Sequence, residues 1–209
     1  SFGCYATNNL TNLDSSQLMN TNWSRTLNWL SKSKKLWIGT NNGLFLYQKK
    51  DNLWNQQIQL LDSTQIITTD LDTVNELLYT LTFEGKIYSI DKTNKLDYLS
   101  QLNESVQANQ IIFDQNRLLV TTNNGLWIWD LHKKYWTTIT KNNGLASNNV
   151  QSLLLDGNFL WITTGNGLQK ISKNNYLSGK KSNIYLKQLL INGKVYKEYK
   201  NIQMDYKHA

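Results

Sequence analysis

Proline is absent from this 209-residue chain, and only one cysteine and two histidines occur. Each scarcity removes a class of explanation. With Cys4 alone, no internal disulfide forms, and the redox compartment leaves no trace. His132 and His208 stand apart from any Ser, Cys or acid at the spacing of a nucleophilic or general-base motif. His132, in Asp130-Leu131-His132-Lys133-Lys134, reads as a solvated loop residue. Metal sites need grouped Cys, His or carboxylates, and the closest acidic pair, Asp70 and Asp72, lies on a strand-to-turn segment and is assigned no site. No glycine-rich phosphate loop appears, because the 11 glycines are spaced as turns. Catalytic residues, metals and cofactors are therefore expected to be none. No apolar run reaches the roughly 18 residues of a membrane span. The chain starts on Ser1 without Met or a secretory pattern, so an earlier segment is expected to have been removed.

Charge is scarce on one side of the chain. Residues 1–169 carry 13 Lys/Arg and 13 Asp/Glu, whereas 170–209 carry 9 lysines against Glu198 and Asp205, which supplies the whole +7. The shift marks a boundary near Lys173-Asn174-Asn175. The tail has no arginine, the residue that dominates base readout and bidentate phosphate contacts, so no nucleic-acid partner is expected. The lysines read as a solvated strand face of a second domain rather than a surface for anionic partners.

What is present in abundance is repetition. Leu160-Trp161-Ile162-Thr163-Thr164-Gly165-Asn166-Gly167-Leu168 has near copies at Leu36–Leu44 and Leu118–Leu126 and a weaker one at Leu78–Lys86. The closing glycines stand at 43, 85, 125 and 167, in steps of 42, 40 and 42 residues. A regular period of this size decides architecture ahead of any local motif. Each copy is a β-branched apolar run ending on threonine, a turn, and a second strand rich in aromatics. Asn-Gly closes three turns, and this pair tolerates positive φ at both central positions. A run apolar on both faces must be covered on both sides, as a blade between two blades is. About 40 residues hold four short strands and their turns. The reading is an all-β chain of β-propeller blades, four repeats of about 40–42 residues within a larger propeller or, alternatively, a small ring in which the first residues complete the last blade.

Taken in order, the blades are expected over Leu27–Leu60, Ile66–Leu99, Gln110–Thr140 and Val150–Ile171, with turns at 42–43, 84–85, 124–125 and 166–167 and no helix within 25–172. The fourth strand of the last blade is not evident. Gly3 lies 40 residues before Gly43, so residues 1–20 read as a partial blade with later strands in Tyr5–Leu13, and Cys4 takes the place of Leu44. That explains Cys4 better than the faint likeness of Ser1-Phe2-Gly3-Cys4 to a lipoprotein cleavage box.

Asn143-Gly144-Leu145-Ala146-Ser147-Asn148-Asn149-Val150, then Leu155-Asp156, then Leu160–Leu168, resembles the two-component regulator propeller repeat, whose consensus runs G-L-S-x-N-x-V, an Asp-Gly turn and L-W-I-G-T-x-x-G-L. The second blade departs from it, with Tyr79 for Trp and Lys86 after the glycine. Tyr185–Lys194 and Asn201–Tyr206 resemble the opening of the Y_Y_Y domain, an immunoglobulin-like β-sandwich that follows such propellers. The resemblance implies blades over 1–175 and, over 176–209, a linker and the beginning of that domain, with residues from about 182 pairing among themselves around Ile191-Asn192-Gly193-Lys194. It implies a periplasmic ligand-sensing region of a Bacteroidetes-type hybrid two-component histidine kinase or a related regulator. Its partners would be a small-molecule or oligosaccharide ligand and, for the parent sensor, a second copy in a homodimer.

Two other readings are weighed against it. A streptogramin-lyase-like propeller enzyme has a similar tryptophan-containing repeat but requires a His/acid constellation not seen here. A WD-repeat scaffold would carry Gly-His and Trp-Asp signatures, and Trp129-Asp130 occurs once. Trp37, Trp161, Trp127, Trp129 and Trp136 suit blade packing better than sugar stacking. For a neutral glycan, amide side chains offer donors and acceptors without charge. In a four-stranded blade the turn after the second strand and the link to the next blade share one end. Asparagines preceding a turn glycine are explained by the backbone, which leaves Asn41, Asn123, Asn142 and Asn143 as the candidate ligand-binding residues.

Overall fold

The computed structural model describes Cys4–Tyr5, Leu18–Met19, residues 23–50 and 53–174, Leu189–Ile191 and Lys194–Tyr196. Strand β1 (Cys4–Tyr5) pairs with β2 (Leu18–Met19). The first complete blade is β3 (Ser24–Leu30), β4 (Lys35–Thr40), β5 (Gly43–Lys50) and β6 (Leu53–Leu60). The second is β7 (Ile66–Asp72), β8 (Leu77–Thr82), β9 (Lys86–Ile90) and β10 (Leu96–Gln101). The third is β11 (Ala108–Asp114), β12 (Arg117–Thr122), β13 (Gly125–Asp130) and β14 (Tyr135–Ile139). The fourth has three described strands, β15 (Val150–Asp156), β16 (Phe159–Thr164) and β17 (Gly167–Ser172). A separate hairpin joins β18 (Leu189–Ile191) to β19 (Lys194–Tyr196), with Ile191 opposite Lys194 across the expected Asn192-Gly193. Apart from that hairpin, residues 175–209 lie outside the described ones, and so does any sandwich they form.

Every blade is an antiparallel meander in sequence order. The first strands of successive blades lie side by side, so they form the inner edge of the array, as in a propeller. The repeat is deeper than the motif that reveals it. Each inner strand carries a bulge at the same place, between Ser24 and Thr26, Ile66 and Thr68, Ala108 and Gln110, and Val150 and Ser152. The β1–β2 pair also obeys it. Cys4 opposite Met19 and Tyr5 opposite Leu18 reproduce Leu44 opposite Leu60 and Phe45 opposite Gln59. Those strands thus correspond to the outer half of a blade, although the second is at Leu18–Met19 rather than within Tyr5–Leu13.

The turns fall one residue before the expected pairs, at 41–42, 83–84, 123–124 and 165–166, and their mechanism differs. Only the glycine takes positive φ, at +115° for Gly43, +77° for Gly85, +99° for Gly125 and +109° for Gly167. The two turn residues come before it, as Thr40 pairs with Gly43 around Asn41-Asn42. Threonine closes the loop. Thr122 Oγ1 accepts from Asn124 N at 3.0 Å and donates to Gly125 O at 2.7 Å. Thr40 and Thr164 do the same in their blades. One helical element interrupts the expected all-strand stretch. Lys141–Asn143 make a single 3-10 turn in the link after β14, because Asn143 Oδ1 folds back onto Thr140 N and Oγ1.

The core is a series of layers between blades. Trp37, Leu44 and Leu46 of the first blade bury against Ile66, Leu78 and Ile90 of the second. Tyr79, Leu81 and Ile87 then meet Ile111, Leu118 and Val120, with Tyr79 stacked on Phe113 at 5.2 Å between centroids. Leu119, Leu126 and Ile128 meet Val150, Leu153, Leu160 and Ile162. The first blade also buries Ile38, Phe45 and Tyr47 on its other face. Near-continuous apolar strands such as Leu118-Leu119-Val120 are thus covered on both sides.

Candidate functional site

Blade turns and inter-blade links meet at one end, through Leu102 N to Gly85 O at 2.9 Å, Asn123 N to Gln107 O at 3.0 Å and Gly125 N to Asn148 O at 2.6 Å. Three of the four candidate asparagines have local employment there. Asn41 Oδ1 accepts from Arg25 Nε at 2.6 Å. Asn123 Oδ1 accepts from Gln107 N at 3.0 Å. Asn143 Oδ1 caps the 3-10 turn. Asn142, exposed on the same turn, has no hydrogen bond among the described residues. Asn123, Asn142 and Asn143 gather at the end of the third blade, whereas Asn41 belongs to the first.

The second place where polar groups converge is the inner edge. An inner strand leaves its outward N–H and C=O groups without a strand partner, and here side chains of the preceding blade satisfy them. Asp70 Oδ2 accepts from Phe113 N at 2.7 Å, and Gln110 Oε1 accepts from Leu153 N at 2.8 Å. Asn109 Nδ2 donates to Val150 O at 2.8 Å. Asn28 Nδ2 donates to Thr69 Oγ1, which also bonds Thr26 Oγ1 at 2.8 Å. A groove of about 300 Å³ runs along this edge, lined by Thr68, Asp70, Gln110, Ile112, Phe113 and Leu154, among others. Burial raises the Asp70 carboxyl above the usual carboxylate range, and the N–H groups of Phe113 and Leu71 pull the other way. Sequence reasoning passed over Asp70 by placing it near a turn. Its signal was the 42-residue spacing to Asn28 and Ile112, which marks a mid-strand position.

Elsewhere acids close turns or bind lysine. Asp72 accepts from Val74 N, Asn75 N and Asn75 Nδ2, and it helps burial push the Tyr79 hydroxyl up to about 12. Asp114 meets Lys173 Nζ at 2.8 Å with both side chains nearly buried. At the same end Arg117, Asp130, His132 and Lys133 line a hollow of about 210 Å³ with Gln115 and Asn116. Among the described residues no cluster of three His, Cys, Asp or Glu is placed to hold a metal ion, and no helix is long and apolar enough to cross a membrane. The indole N–H groups of Trp127, Trp136 and Trp161 donate to Asn124 O, Ser100 Oγ and Asp156 Oδ2. Trp37 and Trp129 are buried.

With this geometry in view, the solved structures most like it include extracellular domains. That assigned to the hybrid two-component system BT3049 of B. thetaiotaomicron aligns with a TM-score of 0.59 over 75% of this chain and 22% of its own, at 20% identity. The extracellular domain assigned to BT4673, of the same organism, gives 0.58 over 82% and 27%, at 21% identity. At such identity the likeness is one of fold. A computationally designed protein, Ika8, shares it too, with a TM-score of 0.56 over 71% of this chain and 45% of its own, at 11% identity. The chain therefore spans about a quarter of the length of the two sensor-system domains. No family model and no curated protein sequence matches it.

Proposed function

We propose that this chain is part of the extracytoplasmic ligand-sensing region of a bacterial two-component receptor, and that its ligand is a glycan fragment. The observation that carries the reading is the shared fold with extracellular domains assigned to two-component systems, over 75% to 82% of this chain. The repeat resemblance supports it independently, because its motif residues Thr40, Gly43, Thr122, Gly125, Thr164 and Gly167 build the turns they were matched to. In this reading residues 176–209 are a linker and the beginning of the sandwich module that follows the blades, and the protein binds its ligand without transforming it. The amide-rich end of the third blade supplies the contacts.

The test is calorimetric titration of the sensor region with a panel of neutral oligosaccharides. Asn142→Ala is the cleanest variant, since that side chain holds nothing else in place. Asn41→Ala, Asn123→Ala and Asn143→Ala are read beside thermal melts, because each also removes a local hydrogen bond. A loss of affinity of about tenfold in one variant that still melts normally assigns the face. Unchanged affinity in all four removes it, and no binding by any oligosaccharide removes the glycan reading.

A further inference from the structure

The inner-edge groove holds a carboxylate without a counter-charge. Asp70 receives only backbone N–H groups, from Phe113 and Leu71, and no ion pair among the described residues involves it. A partly buried anion in that state is favoured by any cation that reaches it. Two further groups on the groove wall have unused capacity among the described residues. Gln110 spends its Oε1 on Leu153 N, which leaves both protons of Nε2. The hydroxyl of Thr68 makes no side-chain bond there. Half-buried Ile112 and exposed Leu154 give the groove an apolar side. An acceptor with full charge, a neutral donor and an apolar strip describe a complement that is cationic at one atom, oxygen-bearing beside it and carbon-faced on one side.

We propose that this groove is a binding site for a protonated amine, with the ammonium paired to Asp70 and a neighbouring hydroxyl or ether oxygen accepting from Gln110 Nε2. An amino sugar and a polyamine share the ammonium, and only the former brings the vicinal oxygen. The proposal rests on the ligand-sensing reading and adds to it a preference for an amine-bearing saccharide, which differs from its acetylated form in carrying the ammonium charge and lacking the acetyl group. The groove is a site additional to the blade asparagines, which lie at the turn end.

The experiment titrates the 209-residue chain with glucosamine trimer, N-acetylglucosamine trimer and spermidine, in wild type and Asp70→Asn. The substituted amide keeps an oxygen for Phe113 N, so the blade contact and the melting temperature at low pH survive while the charge is lost. Expected is binding of glucosamine trimer about tenfold tighter than of its acetylated counterpart, with that preference abolished by Asp70→Asn. Spermidine binding more tightly than glucosamine trimer, with the same dependence on Asp70, would identify a polyamine as the source of the ammonium. Equal binding of the acetylated and free-amine trimers, or affinity indifferent to Asp70→Asn, overturns the amine site. If the acetylated trimer still binds in that case, the sensing reading stands without it. If no saccharide and no amine binds, both are overturned.

Discussion

Gly43, Gly125 and Gly167 stand at one position of the repeat with nearly one backbone conformation, φ of +115°, +99° and +109°. Their surroundings differ. A Cβ on Gly125 would lie 2.5 Å from Ile139 O, and one on Gly43 would lie 2.8 Å from Leu60 O. Both oxygens belong to fourth strands, β14 and β6. A Cβ on Gly167 meets nothing within 4 Å, in a blade with three described strands. Alanine at any of the three incurs the left-handed penalty of about 1–2 kcal/mol. At Gly125 it must also push a strand backbone aside, which adds about 1–3 kcal/mol. Gly125→Ala should therefore cost about 2–5 kcal/mol and Gly167→Ala about 1–2 kcal/mol, with Gly43→Ala close to the former. At about 2–4 °C per kcal/mol for a chain of this size, the first should melt roughly 2–12 °C below the second. Urea denaturation followed by tryptophan fluorescence, beside thermal melts by circular dichroism, reads the difference. Equal losses at Gly125 and Gly167 would refute the reasoning, since backbone strain alone would then account for both.

Two further outcomes follow from charge. Because burial raises the Asp70 pKa in the folded state, the folded chain holds that proton to higher pH than the unfolded chain does. Stability then falls as pH rises from the ordinary carboxylate value through the raised one, so Asp70→Asn should match wild type at low pH and exceed it at neutral pH, as urea titrations at both pH values would record. The Lys173–Asp114 pair, with side chains only 12% and 11% exposed, ties the end of the fourth blade to the inner strand of the third. Lys173→Met removes the cation facing the nearly buried Asp114 carboxylate and should cost up to about 3 kcal/mol, and adding Asp114→Leu should recover part of it, which a double-mutant cycle measures.

Much of the fold was legible because the repeat speaks several times over. The second blade, expected over Ile66–Leu99, begins at Ile66 and ends at Gln101. The Gly3–Gly43 spacing placed Cys4 at the repeat position of Leu44, and the register of β1 with β2 agrees. Turn chemistry was read one residue out of phase. Asn-Gly suggested a two-residue turn with both φ positive, whereas the threonine before it makes the decisive bonds and asparagine keeps an ordinary φ. A strand-ending threonine looks like β propensity, and its hydroxyl contact with a carbonyl three residues on is a tertiary fact in a local disguise. The 3-10 turn was missed for the same reason, since it depends on where Asn143 Oδ1 points.

The site was less legible because polar residues here serve neighbours distant in sequence. Asn123 looked free of structural duty, yet its partner is Gln107, 16 residues earlier and across the link. Asp70, Gln110 and Asn109 find partners 41 to 43 residues on, one blade further, so no local window contains the pair. The same dependence on the neighbour governs the apolar positions. Leu44 and Leu126 are wholly buried at the place where Leu168 is 64% exposed, and Trp37 is 2% exposed where Trp161 is half-buried with Lys170 Nζ 4.8 Å from its ring. The sequence motif is the same in each case, so burial is set by the sheet opposite rather than by the repeat itself. A blade specifies its own strands and turns, but what its two faces and its inner edge do is decided by the blade beside it.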